Sequence, residues 1–510
     1  MKKIISILLI ITTILSLCAC TNAGSNTKIT IGVMDSVSTL DPVKASNLSE
    51  KIVADNCFEG LLRLNADGNV ILGSAVRYSV SGDDLTYTFK LNDTAKWYVP
   101  SEAKKALKKV DYNDSVTAED YAFGIERYKN SGKNDFDSIS AVEAPDEFTL
   151  VIKLSKPDID ILYKLATLPV YPCNEDIYNG LKGKIFSSPE YTPCNGTYFV
   201  KESSKPETVL ERNNKYSGNL QIFNRFISLY TTGSAESLKT RLTDKTYDLF
   251  IAPSTESLDG LTPTATTVST VWGFSFNMKS EIGANDSIRA ILLSSIFPEH
   301  VTTPSFASSV AHGIIPDSFL VRETAYLNFN PEEITYPYDT EKAIKLLTDL
   351  DKNTTYTVNF AVPAEMKECA DILVQAWGNL FGNTFKFNVT TFELNEVKAF
   401  AEAGNYDLAI LPLFPERSTA SSILESICHA PCYATKEGFL KAYDSLPEDD
   451  EIAEDLKTAE KYIVENGIFV PLFTESNDIY SIPELSGIYS ANGGSTIYLN
   501  EGTKTENDKK

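Results

Sequence analysis

Strands and helices alternate along residues 339–411, and this alternation predicts an α/β fold whose parallel strands are joined by crossover helices. Helix-period segments at 339–350, 367–380 and 395–403 fall between strand-like runs at 355–362, 385–391 and 406–411. A second observation is the apolar run at 469–473, a late strand that must pair with something earlier in the chain. A third is size. At roughly 150 residues per domain, 510 residues allow about three domains, and 43% hydrophobic residues can fill their cores.

The first nineteen residues read as a signal peptide. Lys2 and Lys3 precede an apolar run from 4 to 17, the length of a signal core and short for a membrane span. It ends in Leu17-Cys18-Ala19-Cys20, which resembles a bacterial lipobox. Cys20 is the lipidation candidate because the small Ala19 precedes it; the alternative is cleavage without lipidation. Acyl chains contribute about 0.8 kcal/mol per buried methylene, so a multiply acylated cysteine is a stable anchor. Residues 20–27 are polar and small, as a lipid-anchored tether requires. The expected location is the outer face of the cell membrane.

Loss of residues 1–19 removes Lys2 and Lys3, so the net charge of −23 becomes −25. Such an acidic body is a poor nucleic-acid binder, because phosphates require a basic face. The three histidines, His300, His312 and His429, are far apart, which weighs against a His-based metal site or a Ser-His-Asp triad. Neither a Gly-x-Ser-x-Gly elbow nor a His-Glu-x-x-His pair is present. The expectation is therefore no enzyme, no metal and no cofactor.

In chain order, 28–33 alternates polar and β-branched residues and reads as a strand, broken at Thr39-Leu40-Asp41-Pro42. Apolar residues keep helical spacing over 50–64, which predicts a helix that Gly60 ends, and 66–69 is a turn. Residues 86–91 alternate again. A helix over 115–128 is capped at Thr117 or just before it, with Tyr121, Ile125 and Tyr128 on its apolar face. Strand 148–154 follows, then a hairpin of 198–200 and 208–210, helix 235–242, strand 247–251 and helix 287–296. Thr340 is the expected cap of 339–350, and 451–464 is a late helix. Six cysteines follow Cys20. Outside the cytosol they can form disulfides, and spacing suggests Cys173 with Cys194 and Cys428 with Cys432; the alternative is buried free thiols.

Several ordered motifs point further. Leu40-Asp41-Pro42, Phe58-Glu59-Gly60-Leu61 and Asp67-Gly68 come first. The stretch 79–91, Ser-Val-Ser-Gly-Asp-Asp-Leu-Thr-Tyr-Thr-Phe-Lys-Leu, leads to Trp97 and Val116-Thr117-Ala118-Glu119-Asp120. Asn195-Gly196-Thr197-Tyr198, Leu210-Glu211-Arg212-Asn213, Tyr216, Tyr338-Asp339 and Tyr406-Asp407 complete the set. Together, over about 28 to 490, they resemble the family 5 extracellular solute-binding proteins, the oligopeptide and dipeptide receptors of bacterial ABC importers. About twelve extra residues lie between Trp97 and Val116 (segment 98–115), basic and helix-prone over 103–110. This is either a surface excursion or a contact with a partner.

The resemblance implies a periplasmic-binding-protein-like fold, two lobes around a cleft with an extra third α/β domain, of cluster C type. Domain I would be discontinuous, from 28–66, 191–272 and 475–500; domain II would span 67–190 and domain III 273–474, with 501–510 a charged tail. Trp272, Phe274 and Phe473 would lie at the hinge. The family's loop after Leu-Asp-Pro contacts the peptide main chain; here it is Ser46, Asn47 and Leu48, which could equally form an ordinary loop. The family's peptide-amine aspartate falls on Glu416, with Leu413 at its tryptophan position, Phe414 beside it and Arg417 at its tyrosine position. Glu416 and Arg417 could instead pair with each other on the surface. The implied partners are an oligopeptide, an ABC permease with its ATPase, and the membrane through the lipid; a monomer is expected. The alternative is a lipoprotein of the same fold that senses a peptide pheromone or another ligand without a transport role.

Overall fold

Lys28–Val33 does form a strand, and half of the principal sheet is arranged around it. The computed structural model describes residues 27–504 except 67, 133–134, 159, 168, 233–234, 255–259, 297–300, 322–323, 414, 416–417, 430–451 and 492–495. Strands Phe226–Thr231 and Leu249–Pro253 flank Lys28–Val33 on either side, both parallel to it. Helix Ala235–Thr243 makes the crossover between them. The hairpin Tyr198–Ser204 and Glu207–Arg212 extends this half to its edge.

The other half repeats the plan. Strand Tyr356–Pro363 lies between Phe385–Phe392 and Leu408–Leu413, again parallel to both. Helices Lys367–Phe381 and Val397–Ala403 make the crossovers. The parallel α/β arrangement predicted from 339–411 is what forms.

The two halves share one small device. Tyr247-Asp248 and Tyr406-Asp407 each precede a flanking strand. Asp248 Oδ2 accepts from Thr30 N at 2.9 Å while Asp248 N donates to Thr30 O at 2.8 Å. Asp407 does the same with Asn359, at 2.8 and 2.9 Å. Each aspartate thus clamps its central strand near the middle.

Two long antiparallel strands, Ala265–Phe276 and Phe469–Ser481, join the halves into one sheet, eleven-stranded among the described residues. The late strand therefore pairs with residues 249–253 on one side and 265–275 on the other, more than 190 positions earlier. A separate four-stranded sheet orders Ala75–Val80, Thr86–Leu91, Thr149–Leu154 and Ile139–Asp146. Three main cores result, drawn from 61–181, from 29–58 with 173–251 and 479–499, and from 271–473.

The motifs turn out to be buried scaffold, within these cores and at a junction between them. Glu59 N donates to Asn195 Oδ1 at 3.1 Å and Asn195 Nδ2 returns a bond to Glu59 O at 3.0 Å. Tyr216 and Ser74 hydroxyls reach the Glu59 carboxylate at 2.6 and 3.0 Å. Gly196 has no room for a side chain: a Cβ there would lie 2.5 Å from the Cys57 carbonyl carbon. Thr117 caps helix Ala118–Lys129 in a capping box with Asp120. The buried Trp97 indole donates to that same Asp120 at 3.0 Å. Burial pushes Asp120 up to about 6, against the bonds from Thr117 and Trp97 that pull it down.

Three expectations are corrected. The helix expected to end at Gly60 stops at Cys57, and Leu62–Leu64, inside the stretch of helical spacing, is a strand paired with Val70–Leu72; the chain extends from Phe58 to reach Asn195. The cap of helix Thr340–Leu347 is Asp339, whose carboxylate accepts from Lys342 N at 2.9 Å. Cys173 and Cys194 are buried free thiols, as are Cys57 and Cys369. Cys194 Sγ is turned to Tyr198 O, 3.4 Å away, whereas Cys173 lies against Arg127 and Asp41. Cys428 belongs to helix Ala420–His429, but its side chain, like Cys432, lies outside the described residues, as does Cys20. Among the described residues no helix is long and apolar enough to cross a membrane, and no group of three metal-ligating side chains occurs.

Candidate functional site

The loop from 35 to 47 is built around one carboxylate. Glu50 is 2% exposed, in the first turn of helix Leu48–Cys57. Its Oε1 accepts from Ser38 N at 3.0 Å, Ser38 Oγ at 2.5 Å and Thr39 N at 3.2 Å. Its Oε2 accepts from Ser46 N at 2.9 Å, Ser46 Oγ at 3.2 Å and Asn47 N at 3.4 Å. One side chain thus draws both ends of the loop together. Asn47 Oδ1 returns the cap by accepting from Glu50 N at 3.0 Å, and Asn47 Nδ2 donates to Ser36 O at 3.2 Å. The far side is fixed by Asp41, whose two oxygens both lie 3.0 Å from Arg127 Nη2. The Arg127 guanidinium also stacks over Tyr178 and Phe186, at 4.7 and 5.2 Å.

Of the residues expected here, Ser46 is exposed and Asn47 and Leu48 are partly exposed. The N–H groups of Ser46 and Asn47 are committed to Glu50. Leu48 packs into the core that holds Ile31 and Ile52, while Leu413 belongs to the 271–473 core and pairs with Val271. The structure does not bring Ser46–Leu48 and Leu413 into one cluster. Phe414, Glu416 and Arg417 lie outside the described residues.

Trp272, Phe274 and Phe473 lie on the two crossing strands, at 2, 1 and 2% exposure. Trp272 stands opposite Phe473, and the register slips immediately after it and again between Val268 and Thr270. Such bulges bend and twist a ladder locally. The Trp272 indole donates to Glu475, and its ring lies 4.8 Å from Phe306. Burial raises Glu475, against the pull of that indole bond.

A contact, or lip, that the sequence did not mark joins the segment at Asp160 to the 271–473 side. Asp160 sits just before helix Ile161–Thr167, its N–H held by Asp158 Oδ1 at 3.1 Å. Asp158 is itself fixed by Lys164 at 2.9 Å, both side chains being about nine-tenths buried. From this mount the Asp160 carboxylate accepts from Thr419 Oγ1 at 3.3 Å and from the Ser421 hydroxyl. Beside it, Leu320 N bonds Ser418 O at 2.8 Å and the Leu320 side chain packs onto Leu64, Tyr163, Ala491 and Tyr498. A polar bond and an apolar plug, both from the 271–473 side, thus meet the opposite wall. These partners are about 260 positions apart for Asp160 with Ser421, so no local pattern announces them. Glu50 did leave a signal: Asn47 and Glu50 have capping-box spacing.

Asp160→Ala is expected to weaken ligand capture about tenfold, since a hydrogen bond to a charged group is worth about 1.5–3 kcal/mol and this one is partly solvated. It should leave the melting temperature of the ligand-free protein within a few degrees. Titration calorimetry with a bound ligand and a ligand-free melt check both. Unchanged affinity would show that the lip does not contribute to closure.

Residues 69–434 match the family described as bacterial extracellular solute-binding proteins, family 5 Middle. The chain is 28% identical over 269 residues to the oligopeptide-binding protein AliB of Streptococcus pneumoniae, a match covering 48% of this chain and 40% of that protein. It is 25% identical over 528 residues to the dipeptide-binding protein of Lactococcus lactis, covering 92% and 94%. In fold it is similar to Listeria monocytogenes OppA bound to peptide, with a TM-score of 0.70 at 18% identity over 95% of this chain and 100% of that one.

Proposed function

The chain belongs to the bacterial extracellular solute-binding proteins of family 5, and from that premise we propose that it is a lipid-anchored receptor that captures oligopeptides and delivers them to an ABC permease with its ATPase. The observation that carries this reading is the pair of α/β halves joined by two crossing strands and closed by a lip at Asp160, Thr419 and Leu320. A ligand held between two lobes is buried on closure and does not need a deep pocket in either lobe. Peptides suit such a site because their main chain offers the same donors and acceptors whatever the sequence. The names of relatives in pneumococcus and Lactococcus support this substrate class.

In this reading domain I comprises 28–66, 191–272 and 475–500, domain II 67–190 and domain III 273–474, with the hinge at Trp272, Phe274 and Phe473. Ser46 and Asn47 offer contacts to the ligand with Leu48 and Leu413 packed behind them, and Phe414, Glu416 and Arg417 are assigned to ligand binding, Glu416 to the peptide amine. Cys20 carries the lipid on the outer face of the membrane, and the body is a monomer. A thermal-shift screen with mixed peptides tests the substrate class. A peptide at 100 times its Kd should stabilise the protein by about 2.7 kcal/mol. A response to a sugar or a metal chelate, with none to any peptide pool, would replace the substrate.

A further inference from the structure

The four-stranded sheet has two edges, and only one of them is guarded. Strand Ile139–Asp146 ends it on one side, with register slips after Ile139 and after Glu143 and with Glu143, Pro145 and Asp146 along it. Bulges, charges and proline keep an edge from pairing with another chain. Strand Ala75–Val80 ends the sheet on the other side, and every residue from Val76 to Val80 is exposed. Arg77 is the one charge in that run, and the one register slip lies at its start, between Ala75 and Arg77. Leu72, Val76, Tyr78 and Val80 are 39, 49, 40 and 39% exposed, the largest group of exposed bulky apolar side chains close in sequence among the described residues.

The ladder shows which backbone groups are free. Ser81 N donates to Thr86 O at 2.9 Å, so Ser81 and Thr86 are a hydrogen-bonded pair. Such pairs alternate along an antiparallel ladder, which makes Ser79 with Thr88 and Arg77 with Lys90 the next ones. The N–H and C=O groups of Tyr78 and Val80 therefore point away from the sheet, and among the described residues no backbone bond reaches them from outside it. Tyr78 stands opposite Phe89 and Val80 opposite Tyr87, both buried in the 61–181 core. Opposite side chains share a face, so Tyr78 and Val80 continue the core face of the sheet past its cover. The Tyr78 ring lies 5.6 Å from that of Phe89.

We propose that this edge pairs with the same edge of a second copy of the chain, antiparallel about a two-fold axis at Ser79, to form one continuous sheet across two molecules. In this register Tyr78 and Val80 of the partner subunit exchange both backbone bonds, and the symmetric pair does the same, so all the free groups are used. Tyr78 packs beside Val80 of the partner subunit on the core face. On the other face Arg77 falls opposite Ser81 of the partner subunit. The Ser81 hydroxyl donates to the exposed Asp83, so the guanidinium meets a carboxylate, and the two Arg77 side chains stand about 13 Å apart along the strands. The strand thus supplies each group with its complement when it is read in the opposite direction. The net charge of −23 opposes this weakly, since charges beyond about 8 Å are screened at physiological salt. One strand from each copy covers less than the roughly 1,200 Å² of a standard interface, so the pair is weak and forms as concentration rises. The unit that holds ligand is still one chain, and pairing does not depend on which ligand that is.

The test is sedimentation velocity of residues 20–510, with Cys20→Ser so that no lipid is attached, from about 1 μM to about 1 mM, the range in which weak pairs form. The mass should rise from one chain toward two. Ser79→Lys sets like charges opposite each other at the axis, on an exposed side chain that the core does not use, and should weaken association about tenfold or more. It should melt with the parent, which shows that its fold is intact. Ser140→Lys, exposed on the guarded edge, should associate as the parent does. Ser79→Cys, treated with a mild oxidant, should give a reducible crosslinked dimer that the parent does not give. A mass of one chain over the whole range, association unchanged by Ser79→Lys, or a dimer that Ser79→Cys fails to link would overturn the proposal.

Discussion

Glu50→Gln is expected to cost about 2–4 kcal/mol of stability and to abolish high-affinity ligand capture. Both Glu50 oxygens accept backbone N–H groups, from Ser38 and Thr39 on one and from Ser46 and Asn47 on the other. An amide has only one acceptor oxygen, so its NH2 must face one of these donor pairs and leave it unsatisfied in a site where the side chain is 2% exposed. The carboxyl itself supplies a pH signature. Burial pushes it up, but the bonds from Ser38, Ser46 and Asn47 outweigh this and hold it below its ordinary 4.5. A folded-state pKa below the unfolded one adds stability above the unfolded value, and that stability is lost as pH falls through the folded value. Urea midpoints should therefore separate wild type from Glu50→Gln most at neutral pH, and the gap should narrow below about pH 4. A gap that does not change with pH would mean the loop is held by something other than this charge.

The same carboxylate shows what sequence can and cannot reveal. Local patterns carried the elements well: Lys28–Val33 and Thr86–Leu91 have the bounds that alternation predicts, and Thr117 caps its helix. The ordered motifs carried the family because they make buried bonds of the scaffold, Asn195 to Glu59 between two cores and Trp97 to Asp120 within the 61–181 core. Those bonds say little about ligand, since they are buried scaffold. Strands such as Phe226–Thr231 and Ile139–Asp146 were not read, as their burial patterns do not alternate cleanly. The helical apolar spacing of 50–64 outlasts the helix itself, which stops at Cys57 where the backbone turns to follow Asn195. The lip at Asp160 could not be read at all. Its geometry depends on how two halves close, a relation that only the folded sheet defines.

Gly273→Ala tests that sheet at its crossing. Gly273 lies in the middle strand of three, paired with Leu411 on one side and Pro471 on the other, immediately after the bulge that skips Leu472. A Cβ at this position would meet Val470 O at 2.4 Å and the Phe469 ring at 2.5 Å. The first obstacle is backbone and the second belongs to a ring of 0% exposure in the large core, so neither can swing aside. Overpacking of this kind costs about 1–3 kcal/mol and more where backbone must move; the upper end is expected here. The two crossing strands are the covalent route between the halves, so a shift in their spacing should also alter closure. X-ray scattering of the variant should show a smaller change in radius on adding ligand than wild type shows. Gly378→Ala, on an exposed turn of helix Lys367–Phe381 with nothing near the new methyl, is the control. It should stabilise by up to about 1 kcal/mol, since alanine is the better helix former. If Gly273→Ala matched that control in stability and in closure, the crossing strands would be able to part without cost, and the site of bending would have to be sought outside residues 271–274 and 469–473.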